Sequence, residues 1–374
     1  MLDILMDPKN PFIWIIITLI IILVIVIFSR SFSTNIKFVY PNAKFEAMGN
    51  PFILESELNK LIDIKDLKSF KEILNQTKDY KVSGNTTKEI QQSLDQAFIK
   101  NVFMMKKDSS KKMNPFFDIY LEKIDSYLIK TAIKSKIQDK IIDEEIIENA
   151  SLLKTKNLLK QIIFSDKKDL KNILIKYGFN SNIVNIINEK DINFLKLDIE
   201  IDKYIFNKFK ETKVPYKCEN AKNKFLNILI DTNNIKNILR AKQLNYDSES
   251  IKQIFLGDGQ EIAAWKYNNM ANLESIPQII TSLKGTSYYE SLKNAIEIFH
   301  KEKSIQIFEN ELDNNFLKLI KNISMENFVT IGPTIRFIVS KEFEIKNLKI
   351  IVKGIAEGLS SNLIKPYLIK EIKQ

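Results

Sequence analysis

Ile230-Asp231-Thr232-Asn233-Asn234-Ile235-Lys236-Asn237-Ile238-Leu239-Arg240-Ala241-Lys242 decides the fold, because its pattern occurs three times in the chain. The first copy runs from Asp125 through Ile129, Lys130, Ala132, Ile133 and Lys134, and the third from Glu344 through Leu348, Lys349, Ile351, Val352 and Lys353. Each copy opens on an acid and then places apolar residues at i, i+3 and i+4: Ile129/Ala132/Ile133, Ile235/Ile238/Leu239 and Leu348/Ile351/Val352. That spacing is one buried stripe of an amphipathic helix. A cationic pair at i and i+4 rides beside the stripe each time, as Lys130/Lys134, Lys236/Arg240 and Lys349/Lys353.

A second landmark lies upstream of each copy, in Ser93-Leu94-Asp95-Gln96-Ala97-Phe98, Glu200-Ile201-Asp202-Lys203-Tyr204-Ile205 and Glu311-Leu312-Asp313-Asn314-Asn315-Phe316. Its Asp precedes the acid of the organising stretch by 30 residues (95 to 125), 29 (202 to 231) and 31 (313 to 344). Two landmarks held at near-constant separation in three places imply a supersecondary unit of about 110 residues used three times, too long for an ordinary solenoid repeat. The chain therefore divides into a leading segment 1–36 and units 37–148, 149–256 and 257–374.

Glycine and proline number nine each in 374 residues, below their average share. Few breakers mean long elements, so the chain is expected to be all-α. The net charge of +10 admits acidic partners, but only Arg30, Arg240 and Arg336 of the 56 basic residues are arginine. Base edges and phosphates are read bidentately by arginine, which argues against sequence-specific nucleic-acid binding. Cys218 is the single cysteine and His300 the single histidine, so neither an intrachain disulfide nor a Cys/His zinc cage is available.

Pro11 to Phe28 holds fifteen Ile, Leu, Val or Phe among eighteen residues, long enough as a helix to cross a bilayer's hydrocarbon core. Asp3 and Asp7 precede it where a cleaved signal peptide wants a basic region, so a transmembrane helix is expected, with Trp14 as an interfacial anchor. Arg30, Lys37 and Lys44 against Lys9 place the body on the cytoplasmic side of the cell membrane. Ser29 to Asn35 reads as a polar linker, Tyr40 to Met48 as a helix and Gly49-Asn50-Pro51 as its interruption. Further helices are expected over 63–75, 87–105, from Pro115, around 143–164, 166–177 and 180–188, then 199–210, 221–244 and from Thr334. Lys106 to Asn114 reads as a loop, Gly178 as a C-cap, and both Asp247 and Ser360 as N-cap positions.

No catalytic constellation is found. His300 has no metal-binding spacing around it, Cys218 has no partner base nearby, and Gly257-Asp258-Gly259 lacks the Lys-Ser/Thr of a phosphate loop. Asp95, Asp202 and Asp313 are expected to cap helices or pair with lysines rather than to gather as a carboxylate cluster. Asp125 and Asp231 are expected near helix N-termini, where the dipole favours them, and Glu344 is not. The six cations Lys130, Lys134, Lys236, Arg240, Lys349 and Lys353 form either solvated faces or a basic collar that meets an acidic partner. They are the partner-contact candidates.

The residues Ile230 to Lys242, Gly332-Pro333 followed by Ser340 to Ile351, and Tyr40-x-x-Ala43-Lys44-x-x-Ala47-Met48 together resemble the C subunit of the archaeal-type ATP synthase, the counterpart of the d subunit of vacuolar-type ATPases. The resemblance covers about 340 residues in order. It implies three similar helical domains about a pseudo-threefold axis, forming a funnel with no catalytic residues, cofactor, metal or small-molecule substrate. It implies a non-catalytic rotor subunit between the proteolipid (c/K) ring and the D and F subunits of the central stalk, whose foot enters the funnel. Two features depart from the family pattern. Leu128 stands where the other copies have Asn234 and Asn347, and the membrane helix is absent from the common form. A funnel capping a ring could send that helix into the ring's lipid-filled centre. The reading from a different class is a membrane-tethered helical scaffold that binds acidic partners.

Overall fold

The computed structural model describes residues 11–48, 55–77 and 80–369. Their regular structure is helical, and no strand occurs among the described residues. Seven long helices frame the molecule: α1 (Pro11–Ala47), α2 (Thr87–Asp108), α3 (Asn114–Ile137), α4 (Phe194–Glu211), α5 (Glu219–Gln243), α6 (Gln306–Glu326) and α7 (Gly332–Ala356). Short helices fill the intervals after α3, α5 and α7.

Local chemistry fixes the ends of these helices. Thr86 and Glu89 close a capping box on α2, Asn193 accepts the Lys196 N–H at the start of α4, and Pro115 and Pro333 occupy the first turns of α3 and α7. The buried Lys222 ammonium donates to the Lys210 and Thr212 carbonyls, satisfying the otherwise open C-terminus of α4. The far ends of α3, α5 and α7 share one cap. Asp139, Asn245 and Gly358 take left-handed conformations, and the next N–H bonds back five residues: Lys140 to Ser135, Tyr246 to Ala241, Leu359 to Gly354. The repeat therefore extends into the caps, where three different residue types hold one backbone shape.

Helices α2–α3, α4–α5 and α6–α7 are hairpins. The second helix of each packs against the first helix of the next, α3 on α4 and α5 on α6, and α7 returns to pack on α2. All nine residues of the three apolar stripes are buried. Each Ile or Leu among them contributes about 1.5–3 kcal/mol by leaving water. An aromatic layer joins the hairpins across the middle: Tyr120 lies 6.2 Å from Phe225, Phe225 6.4 Å from Phe316, and Phe316 5.9 Å from Phe343. A separate apolar cluster, from Ile129 to Ile201, fills the short helices after α3.

The three hairpin turns gather at one end. Ser110 and Tyr216 share a hydrogen bond of 3.0 Å, and Lys224 pairs with Glu326 at 2.7 Å. Helix α1 docks there. Phe38 meets Tyr216 edge-on, Phe45 stacks on Phe337, the Asn42 amide donates to the Phe328 and Thr330 carbonyls at 2.8 and 3.0 Å, and Lys44 pairs with Asp108. At the other end of this 37-residue helix, Pro11–Ser29 is a 19-residue apolar span with no residue buried.

Several sequence expectations are corrected. Ser29 to Asn35 is not a linker: α1 runs through it unbroken, because Ser, Thr and Asn interrupt a helix only where a competing turn is available. Lys106 to Asn114 is not an open loop, since α2 continues to Asp108 and a 3-10 turn covers Lys111–Met113. The helix expected over 63–75 runs instead from Leu67 to Gln76, with Asp66 capping it, and a separate helix, Glu55–Ile62, precedes it. The helical region around 143–164 is likewise split, into Glu145–Asn149 and Leu153–Phe164. Gly178 and Asp247 cap as expected, whereas Ser360 makes no side-chain cap. Gly49-Asn50-Pro51 lies outside the described residues.

Candidate functional site

Asp125 and Asp231 do not sit near their helix N-termini as expected. They lie in the middle of α3 and α5, buried, and face the segments that succeed those helices. Asp125 accepts the Ser151 and Leu152 N–H groups at 2.8 and 3.1 Å, and so caps the helix that starts at Leu153. Asp231 accepts N–H groups from Gln260, Glu261 and Ile262 at 2.9, 2.7 and 3.0 Å, and the Tyr288 hydroxyl at 3.2 Å. Burial pushes both carboxyls up, Asp231 to about 6, against these donors, which favour the charged form. Glu344 accepts from the Tyr80 hydroxyl and from Lys341, whose ammonium also lies 4.6 Å from the Tyr80 ring.

One helical turn on, Asn234 accepts the Leu256 N–H and donates to the Gly257 carbonyl, both at 2.9 Å, and Asn347 clasps Ile369 in the same two-way manner. Leu128, at the matching place in α3, packs instead against the Ile129–Ile201 cluster. The expected difference at this junction is thus real: after α3 the segment is held by Asp125, by the Lys136 ammonium on the Ile163 carbonyl at 3.0 Å and by apolar packing, with no clasping asparagine. These side chains tie each long helix to its short ones. They are structural.

The recurrent acids pair with lysines, across the seams between hairpins. Lys130 of α3 meets Asp202 of α4 at 2.5 Å, Lys236 of α5 meets Asp313 of α6, and Lys349 of α7 meets Asp95 of α2 at 2.7 Å. Two seams carry a second rung one turn away: Lys134 with Asp198 at 2.8 Å, and Arg240 bidentate on Glu309 at 2.6 and 2.8 Å. Burial pushes the Asp202 carboxyl up and the Lys236 ammonium down, while the opposite charge beside each works against that shift. Five of the six predicted partner-contact cations therefore have partners within the chain. Lys353 has no ion-pair partner among the described residues; Gln91 stands where the seam's second acid belongs, and its amide donates to the Lys349 carbonyl at 3.3 Å.

Between the hairpins, on the side of the aromatic layer away from their turns, lies a cavity of about 630 Å³. Tyr120, Phe225, Phe316 and Phe343 form its apolar part; Lys123, Lys236, Lys346, Lys349 and Lys353 stand against Asp95, Asp313 and Glu342 on its wall. Lys123 pairs with Glu342 at 2.9 Å and Lys346 with Asp313 at 2.6 Å. Sequence reasoning missed Lys123, Glu342 and Lys346, whose role arises only when distant helices meet. It also missed Asp198 and Glu309, which do carry a signal: they stand four residues before the landmark Asp, mirroring the i, i+4 cations. Cys218 is buried at the second hairpin's turn, and burial pushes its thiol up to about 12, so it is inert at neutral pH. His300 is exposed beside Phe299.

Ion pairs and aromatic rings make up the lining of the cavity. The family described as "ATP synthase (C/AC39) subunit" matches residues 41–367. The chain is 28% identical to the C subunit of the A-type ATP synthase of Methanocaldococcus jannaschii over 361 residues, covering 89% of this chain and 86% of that protein. The same-named proteins of Methanosphaera stadtmanae and Pyrococcus furiosus are 25% and 27% identical, with 92% and 89% of this chain covered and 91% and 89% of theirs.

Proposed function

Because the chain belongs to the ATP synthase (C/AC39) subunit family, as a membrane-associated structural subunit of a rotary ATP synthase rather than a catalytic one, we propose that it is the central-stalk coupler of that machine. In this reading it joins the D and F subunits of the central stalk to the membrane proteolipid ring, turns with both and passes torque between them. The body is three similar units about a pseudo-threefold axis, a funnel on the cytoplasmic side of the membrane. Its hollow receives the foot of the stalk, and its closed end faces the ring.

The observation that carries the reading is the cyclic set of seams. Lys130–Asp202, Lys236–Asp313 and Lys349–Asp95 repeat one contact around a hollow, and the apolar span leaves from the end where the turns meet. A coupler has to resist twisting, and rungs repeated at every seam resist it at each one. The units are not independent segments of chain. Helices Glu55–Ile62 and Leu67–Gln76, which an equal division gives to the first unit, pack on α7 of the third.

The test is to solubilise membranes in mild detergent and isolate the chain by an affinity tag. Proteolipid and the D and F subunits are expected in the same fraction in fixed proportion. Recovery of the chain alone, or with unrelated acidic proteins, overturns the reading and favours a membrane-tethered scaffold.

A further inference from the structure

The three seams are alike at their first rung and unlike at their second. Lys134 and Arg240 each meet an acid one turn before the landmark Asp, namely Asp198 and Glu309. The third seam keeps the cation, Lys353, but has Gln91 in place of the acid. Glutamine has the size and shape of glutamate without its charge, so the seam packs while one rung goes unpaired. Lys353 is exposed and stands on the wall of the hollow, where five lysines face three carboxylates. The wall thus carries a positive surplus: Lys236 and Lys346 share Asp313, and Lys353, at the third seam, has no acid against it among the described residues.

We propose that Lys353 is the specificity cation of the hollow, and that its carboxylate comes from the occupant: the end of a helix of the stalk bearing at least one Asp or Glu. This rests on the reading that the hollow seats the stalk. The size agrees, since one turn of helix, 10–12 Å wide and 5.4 Å long, fills about 500 Å³, against about 630 Å³ of cavity. An occupant lacking an acid there gains only the apolar contacts and leaves the surplus charge facing it. An acidic one gains a charge-assisted bond in a partly desolvated site. Because Lys353 is the one second-rung cation of the three seams without an acid among the described residues, the pairing also selects among three similar orientations of the helix end.

The experiment measures binding of recombinant D and F subunits to the full chain in detergent, for wild type, Lys353→Glu, Gln91→Glu and Lys284→Glu. Lys353→Glu is expected to weaken binding at least tenfold and to flatten its dependence on salt. Gln91→Glu supplies the missing acid from within. It is expected to raise the melting temperature of the chain alone while weakening binding several-fold. Lys284→Glu, the same change of charge at an exposed site between short helices, is expected to shift binding less than twofold. Wild-type affinity in Lys353→Glu, with its melting temperature intact, overturns the assignment of Lys353 and leaves the seat itself standing. Failure of the wild-type chain to bind D and F removes the seat and this inference together.

Discussion

Asp231 shows how much a single side chain carries here. Its carboxylate collects three backbone N–H groups from the loop at 260–262 and the hydroxyl of Tyr288 further on, and the loop approaches so closely that a Cβ on Gly259 would fall 1.9 Å from Oδ1. Gly259→Ala is therefore expected to cost about 2–4 kcal/mol, read as a lowered urea midpoint with unchanged slope. The pH dependence comes from the raised value of about 6 against an ordinary 3.8. The fold holds this proton more tightly than the unfolded chain, so the stability linked to it is full below about pH 4 and is lost as pH rises through about 6. Asp231→Asn cannot titrate. The melting temperature of wild type relative to this variant should rise as pH is lowered from 7 to 5; a constant difference would remove the assignment. Asn234→Leu makes the second copy resemble the first and leaves the Leu256 N–H and Gly257 carbonyl without their partner. About 1–3 kcal/mol of stability should be lost, again read in urea.

At the scale of elements, the three apolar stripes and the acids and cations beside them were legible, because helical periodicity is local. Where one helix gives way to the next was less so. Ser29 to Asn35 has the composition of a linker, yet α1 continues because its far end is held by Asn42, Phe38 and Phe45 on the hairpin turns, a tertiary fact that no local residue announces. The caps at Asp139, Asn245 and Gly358 were hidden for the opposite reason, since one backbone conformation is served by three residue types. Of the site, the first-rung partners were readable as recurrent acids. That they cross from one hairpin to the next was not, because a sequence gives spacing along the chain and not which neighbour a helix chooses. Replacing Ser29–Asn35 by a Gly/Ser run of equal length should uncouple span from body. Spin labels at positions 20 and 265, measured by pulsed electron resonance in nanodiscs, are expected to give a narrow distance distribution in wild type and a broad one in the variant.

At the scale of the molecule, the chain closes by joining its two ends on one helix. Glu344 of α7 takes the Tyr80 hydroxyl from before the first hairpin, Asn347 takes Ile369 from after the last, and Ser361 bonds Asp63 across 298 residues of sequence. Deleting residues 361–374 should thus loosen more than the neighbourhood of the cut. Hydrogen exchange is expected to lose protection in residues 55–77 as well as near Asn347, with the Ile129–Ile201 cluster retaining its own. Protection unchanged in 55–77 would show that the N-terminal helices stand without the C-terminal segment.

The unbroken course of α1 sets a condition on any machine that contains it. This helix of about 55 Å has its one internal proline, Pro41, inside the stretch that the hairpin turns grip, and none between that grip and the apolar span, so the span moves as the body moves. If the chain turns in a membrane as proposed, such a rod standing on the axis of rotation spins in place against little viscosity. Displaced from that line it is dragged broadside through the lipid once every revolution and strikes whatever stands still there. In the proposed rotor, gripping the rod without a hinge therefore leaves the centre of revolution as the position where it would turn freely.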